Sequence, residues 1–523
     1  MSSRFLTLSL LLCSLPTGLP LSAQESPQDW MAQGRATVER NLALSGEQNS
    51  PRAKNVILFI GDGMSIGTVT AARILGGQLL GMSGEEHELF FETFPNLGFA
   101  KTYNVNQQTP DSAGTMTAMV TGVKTDAGLI SVNHYVVRGD CTSMQGNTLN
   151  TILQQAEQRG MSTGIVTTTS LTHATPAANY AHAMDRDLEN DSDAAVMPNA
   201  SDCPDIARQL VEFTRNNPGS DGLEVALGGG RSHFLPKSGS VDPETGASGA
   251  RLDGRDLLAE WRVANPKGAQ VWNSQMLSAL DLNKVPQLFG VFNPGHMQYE
   301  VDRANDIAGE PSLSEMTAAA IQVLQNNPRG YYLNVEAGRI DHAHHLGNAH
   351  RALIDTIELA NAVRTAYEMT DPAETLIIVT ADHGHTMTFA GYPTRGNPIL
   401  GKVIGNDRFG EPGATPALAV DGKPYTTLGY ANGPGFHLLE DSPSADAVYA
   451  LGVNQSGRAD LSAVDTTAPG YHSEVLVPLT DETHSGEDVA VYATGPGAEL
   501  VRGVMEQNVI YHIMHEALQL DSR

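Results

Sequence analysis

Four apolar runs constrain this chain more than any other feature, because each leads into a side chain that an apolar strand has no use for. The runs are "NVILFI" (55–60), "STGIVTTT" (162–169), "GYYLNVE" (330–336) and "TLIIVTAD" (375–382). They are rich in β-branched and aliphatic residues and lack polar alternation, the pattern of strands covered on both faces. Helical patterns lie between them, such as "NTLNTILQQAEQRG" and "AHRALIDTIELANAVRTAYEM", the latter with Leu353, Ile357, Ala360 and Val363 along one face. The alternation predicts an α/β fold with a central, mostly parallel β-sheet and helices on both faces.

In an open parallel sheet the carboxyl ends of the strands line the ligand crevice. Here those ends deliver Asp62 in "FIGDGM", His173 and Thr175 in "SLTHAT", Glu336, Asp341 and His345 in "VEAGRIDHAHH", and Asp382 and His383 in "TADHGH". Taken singly, each has a plain structural reading. "GDG" is a turn, and an Asp-His pair or a histidine cluster occurs on many surfaces. Asp341 and His345 are four residues apart, so at a helix start they share a face and can share a metal. Taken together, so many buried carboxylates require counter-ions. Mixed Asp and His ligands suit zinc and all-oxygen ligands suit magnesium, so the set asks for two kinds of ion.

Ser112, in "TPDSAGTMTAMVTG", follows Asp111 at the start of a helical pattern. One reading is a helix cap. The other is a nucleophile whose hydroxyl sits where helix amides favour an anion and a nearby cation lowers its pKa, with a phosphate as the natural electrophile.

The 523 residues carry a formal net charge of -27, which argues against a nucleic-acid partner. The first 23 residues hold a lone Arg4, an apolar run from Phe5 to Leu12 and small residues before a polar stretch, the pattern of a cleaved secretory signal. The expectation is an exported protein, periplasmic or secreted. Cys13 falls in that segment. The remaining pair, Cys141 and Cys203, suggests a disulfide, with two free buried thiols as the alternative. No later run has the length of a membrane span, so no membrane anchor is expected. Residues 24–523 read as one domain, in which 392–470, rich in Gly, Pro, Asn and Asp, is an irregular insertion.

With these residues assembled, the chain resembles the alkaline phosphatases from about residue 50 to 515. The motifs "FIGDGM", "PDSAGT", "THATPA" followed by "DR", "VEAGRIDHAHH", "TADHGH" and "THSGEDVAVYA" stand in that family's order. The resemblance implies a serine phosphomonoesterase with two zinc ions and one magnesium, acting through a phosphoserine. It implies Ser112 as nucleophile and Arg186 as a planar clamp on two phosphate oxygens. Asp341, His345 and His484 would hold one zinc, and Asp382, His383 and Asp62 the other. Asp62, Thr175 and Glu336 would hold magnesium. Asp111, His173, His342 and His385 would stand beside these ligands and orient them. The histidines at 173 and 342 are similar to the animal-type and several marine bacterial enzymes.

The resemblance also matches Cys141 and Cys203 to a disulfide of the animal enzymes. Glu244, the Phe292 carbonyl, Asn293 and Glu310 stand nearest to their calcium ligands, although Asn293 replaces a carboxylate. The insertion matches a crown over a dimer, with Tyr392 a candidate to reach the partner's pocket, so a homodimer is expected. Two other readings compete. A superfamily relative (diesterase, nucleotidase or sulfatase) would depart at the nucleophile or the Arg clamp. A non-catalytic phosphate-binding or metal-binding protein would show an eroded nucleophile or metal triad.

Overall fold

The computed structural model describes residues 25–46, 52–197, 200, 203–439 and 451–521. The expected secretory segment, 1–23, lies outside the described residues. All four apolar runs form strands of one ten-stranded sheet. Its strands are β1 (Asn55–Gly61), β2 (Asn96–Lys101), β3 (Ser162–Ser170), β4 (Val225–Gly229), β5 (Ala269–Val271), β6 (Leu288–Val291), β7 (Tyr331–Ala337), β8 (Thr375–Ala381), β9 (Val489–Thr494) and β10 (Gly503–Glu506). Their spatial order is β10-β2-β9-β8-β1-β7-β3-β4-β6-β5. β9 runs antiparallel to both of its neighbours, and every other adjacent pair is parallel.

Helices cover both faces, as a sheet that is apolar on both sides requires. The helices used below are α1 (Pro27–Ser45), α2 (Ile66–Leu79), α3 (Ser112–Thr121), α4 (Ile152–Gln158), α5 (Ala174–Tyr180), α6 (Leu313–Leu324), α7 (Arg339–His345), α8 (Ala349–Met369) and α9 (Val509–Ala517). One group packs as α2, α6, α7 and α8, and the other as α1, α3, α4, α5 and α9. The central strands β1, β3, β7 and β8 are buried along their whole length, with Val56 to Ile60, Leu333, Val335 and Ile378 fully enclosed. Fully burying one such aliphatic side chain is worth about 1.5–3 kcal/mol, so the sheet centre is a rigid platform.

Register carries that rigidity to the strand ends. Ile60 lies opposite Glu336 on β7, and Glu336 lies opposite Thr167 on β3. Gly61 lies opposite Ala381 on β8, which brings the next residues, Asp62 and Asp382, out of the sheet side by side. The "GDG" turn needs its glycine: Gly63 has φ +68°, and a Cβ there would lie 2.4 Å from the His385 ring.

Cys141 and Cys203 form a disulfide across a sequence separation of 62, a loop whose closure restricts the unfolded chain by about 4 kcal/mol in the entropy model. In the 392–470 stretch, Leu428–Gly433 pairs with two segments outside it, Met387–Phe389 and Val475–Pro478. Its other described backbone pairings include isolated bridges such as Pro393 to Gly405, and 440–450 lie outside the described residues. No described helix is long and apolar enough to cross a membrane.

Far from the strand ends, Glu157 at the end of α4 is buried and accepts hydrogen bonds from Thr163 Oγ1 (2.5 Å) and Ser220 Oγ (2.6 Å). Its neighbour Glu224 accepts one from Thr163 N (2.7 Å). Burial, followed by the charge of Glu157, pushes Glu224 up to about 8, and burial pushes Glu157 up to about 7. Both values lie above the unfolded carboxyl value of roughly 4.3. The associated stability is therefore complete below that value and lost as pH rises through 7 to 8. Glu224→Gln is expected to melt higher than the parent at pH 9 and equally at about pH 4, below the unfolded carboxyl value. An equal shift at both pH values would contradict the assignment.

Candidate active site

The catalytic candidates gather where β1, β3, β7 and β8 end. α3 starts at the site: Asp111 is its N-cap, accepting from Gly114 N at 3.0 Å, and Ser112 is its first residue. The capping reading thus falls on Asp111, which leaves the Ser112 hydroxyl at the positive end of the helix. Ser112 is buried, with Oγ 3.1 Å from His383 Nε2.

Three ligand groups surround it. In the first, His345 Nε2 and His484 Nε2 lie 3.3 and 3.4 Å from Asp341 Oδ1 and 3.1 Å from each other. The (i, i+4) spacing on α7 brings Asp341 and His345 together as expected, and His484 arrives from a strand pair in which it lies opposite His385. His484 Nδ1 donates to the Pro110 carbonyl (2.7 Å) and His345 Nδ1 to the Glu482 carbonyl (2.5 Å), so each ring turns its Nε2 inward. His385 joins this group, with Nε2 2.7 Å from Asp341 Oδ1.

The second group is Asp62, Asp382 and His383, all fully buried. His383 Nε2 is 3.4 Å from Asp62 Oδ1 and 3.2 Å from Asp382 Oδ2, and its ring stacks on that of His484 at 3.6 Å, joining the two groups. The third is Asp62, Glu336 and His173. Thr167 and Thr169 donate to Glu336 Oε2, while Thr175 Oγ1, in the first turn of α5, is buried without a hydrogen-bond partner, as is Glu336 Oε1. A ring nitrogen of His173 lies within 4.8 Å of carboxylate oxygens of Asp62 and Glu336, and its Nε2 meets Arg186.

The electrostatics show carboxylates that burial and mutual repulsion hold above their usual range. Burial, then Asp382, Asp341 and Glu336, drives Asp62 well above the usual carboxylate range, and burial pushes Glu336 up to about 7 and raises Asp382. Both Asp62 oxygens, Asp382 Oδ2, Glu336 Oε1 and His173 Nδ1 are buried without a hydrogen-bond partner. Asp341 differs: burial raises it, but His345, His385 and His484 outweigh burial and hold it well below the normal range. Burial lowers His173 to about 4 and His383 well below 6.5, so both rings are neutral, as metal ligands must be. The orphaned oxygens and the donor chemistry of the three groups fit divalent cations: N/O donors in the first two, and mainly oxygen in the third.

Arg186 lies between Asp111 (Nη1 to Oδ2, 3.2 Å) and His173 (Nη2 to Nε2, 3.1 Å). Asp111 also accepts from Asn104 Nδ2 and Gly128 N, at 2.9 Å each. His342 accepts from Arg339 Nη1 (2.8 Å), and its ring lies 5.4 Å from that of His173. An open cleft of about 460 Å³ beside the first group is lined by His296, Tyr299, Arg339, His342, His345 and Asp481. Sequence reasoning did not reach Glu482, Thr167, Thr169 or His296. An acidic residue two before His484 was the only available hint of Glu482.

The calcium candidates do not assemble into a group of open oxygens. Glu244 Oε2 accepts from Arg231 Nη2 (2.7 Å), and Glu310 accepts from Asn293 Nδ2 (2.6 Å) and Gln298 N (2.8 Å). The Phe292 side chain is buried. Tyr392 is 92% exposed on this single chain.

Three comparisons place this geometry. The sequence profile described as alkaline phosphatase matches residues 53–520. The tissue-nonspecific alkaline phosphatase of Gallus gallus is 45% identical over 520 residues, covering 98% of this chain and 93% of that protein. Among solved structures, alkaline phosphatase from Thermus thermophilus superposes with TM-score 0.61 at 25% identity, over 91% of this chain and 94% of that one. A His-to-Asp variant of the alkaline phosphatase from the Antarctic bacterium TAB5, with magnesium bound, gives TM-score 0.58 at 21% identity over 90% and 99%. The chain belongs to the alkaline phosphatase family, metal-dependent hydrolases of phosphate monoesters.

Proposed function

We propose that hydrolysis proceeds through a phosphoserine on Ser112, with Asp341, His345 and His484 holding one zinc, Asp62, Asp382 and His383 a second, and Asp62, Glu336 and Thr175 a magnesium. The observation that carries this reading is the Ser112 hydroxyl at the head of α3, 3.1 Å from His383 Nε2 and next to partnerless carboxylate oxygens. When bound, the ions supply the charge that favours an ionised serine and neutralises phosphoryl oxygens.

The chain's own residues supply the rest. Asp111 fixes the start of α3, and hence Ser112, through its cap. Each Nη of Arg186 keeps a further N–H for phosphate after its bond to Asp111 or His173, so the fork is pre-aimed. In the first half-reaction Ser112 loses its proton, Oγ bonds to phosphorus, and the ester oxygen leaves as an alkoxide that becomes the alcohol. In the second, water displaces Oγ and restores the serine. The leaving group would occupy the cleft of Arg339, Tyr299 and His342 beside His345. We further read the protein as exported, in keeping with its disulfide, and as a homodimer formed through the crown region and Tyr392.

Hydrolysis of p-nitrophenyl phosphate by the purified protein should rise with pH, vanish on chelation and return fully only with zinc and magnesium together. Ser112→Ala should lower kcat by roughly 10³-fold while retaining bound metal. Retained turnover in that variant would sink the phosphoserine route. Arg186→Ala removes a charge-assisted fork worth about 1.5–3 kcal/mol. A loss of about 10–150-fold in kcat/KM is therefore expected, carried in part by KM, and an unchanged KM for ester and for inhibitory phosphate would refute the clamp.

A further inference from the structure

We infer that Glu482 is the positioning residue of the first ion group, seating the imidazoles of His345 and His385 at once. The inference rests on the reading that Asp341, His345 and His484 hold a zinc ion. Glu482 is 1% exposed in the loop before His484. Its main chain and His345 grip each other in both directions. Glu482 N donates to the His345 carbonyl at 2.8 Å, and the His345 ring donates from Nδ1 to the Glu482 carbonyl at 2.5 Å. Its carboxylate reaches the other way: Oε2 accepts from His385 Nδ1 (2.5 Å), while Oε1 accepts from Thr386 N and Thr386 Oγ1, at 2.6 Å each.

Both imidazoles are thus held by Nδ1, and both turn Nε2 toward the same oxygen. His345 Nε2 lies 3.3 Å and His385 Nε2 2.7 Å from Asp341 Oδ1. Fixing the far nitrogen of a ligand ring selects the tautomer and orientation in which the near nitrogen meets the metal. A carboxylate meets all three contacts while His385 donates from Nδ1. Thr386 N can only donate, so an amide of the same size keeps its oxygen there and sets its N–H₂ against His385 Nδ1, which must then take the other tautomer. Glu482 also ties three separate segments together: α7, the end of β8 and the loop carrying His484. Replacing its side chain therefore frees His385 and, through it, the Asp341 oxygen that His385 meets, while the main-chain bonds to His345 remain.

The test is zinc titration of the full-length, metal-stripped protein against a chromogenic chelator, with the melting temperature of the metal-free form measured in parallel. Glu482→Gln should weaken one of the two zinc sites by about 10–100-fold and leave the other within about twofold, with at most a small drop in the metal-free melting temperature. Thr386→Val removes one donor to the carboxylate while keeping the backbone N–H. It should weaken the same site more mildly, and it serves as the readout if Glu482→Gln fails to fold. Parental zinc affinity at both sites in either folded variant overturns the inference. So does an equal weakening of both sites with a lowered metal-free melting temperature, which marks a merely structural residue. If the parent protein itself binds no zinc that His345→Ala abolishes, the metal reading of the first group fails and takes the inference with it. Zinc bound normally by the parent and by Glu482→Gln leaves that reading intact.

Discussion

Asp62, Glu336 and Asp382 are held at the ends of three adjacent strands, in full burial, without enough protein cations to balance them. Removing an ion from water costs several kcal/mol even after relaxation, and mutual repulsion adds to it. The sheet tolerates this because its centre is apolar on both faces and its register leaves these ends little freedom to move apart. Ile60 stays opposite Glu336, and Gly61 opposite Ala381. The fold therefore keeps a concentration of negative charge in a dry place, and divalent cations are the natural complement. The metal requirement of the family follows from this constraint as directly as from any motif.

Ser112 gains its meaning from the same arrangement. A serine after an aspartate at a helix start is ordinarily a cap, and the cap here is Asp111. The cap, the Arg186 pair and the bond from Gly128 N converge on the one Asp111 carboxylate, so helix start and phosphate clamp are positioned together. On the other side, the stack of His383 on His484 couples the two nitrogen-bearing groups. The site is thus assembled from elements as distant as residues 62 and 484 but joined through a few shared side chains.

Much of this was legible in the sequence, for identifiable reasons. Strands buried on both faces leave an unbroken apolar signature, so the polar residues that end them stand out. The four-residue spacing of Asp341 and His345 survives translation into α7. Residues that reach the site through loops leave no such trace. Arg186 and His484 came from family resemblance, since an arginine in a loop and a histidine in a β-bridge have no period to betray them. Glu482 was missed because its role depends on a contact with His385, 97 positions away in sequence. The calcium candidates came from position matching, with Asn293 already in place of a carboxylate, and Glu244 and Glu310 each accept from a protein donor.

The central claim is that the three carboxylate groups are ion sites of two kinds, and anomalous diffraction from metal-loaded crystals tests it most directly. Data collected on either side of the zinc absorption edge should give two zinc peaks, one among Asp341, His345 and His484 and one among Asp62, Asp382 and His383. A lighter ion should lie between Asp62 and Glu336. An absence of zinc from either of the first two positions, with the protein active and fully loaded, would contradict the account.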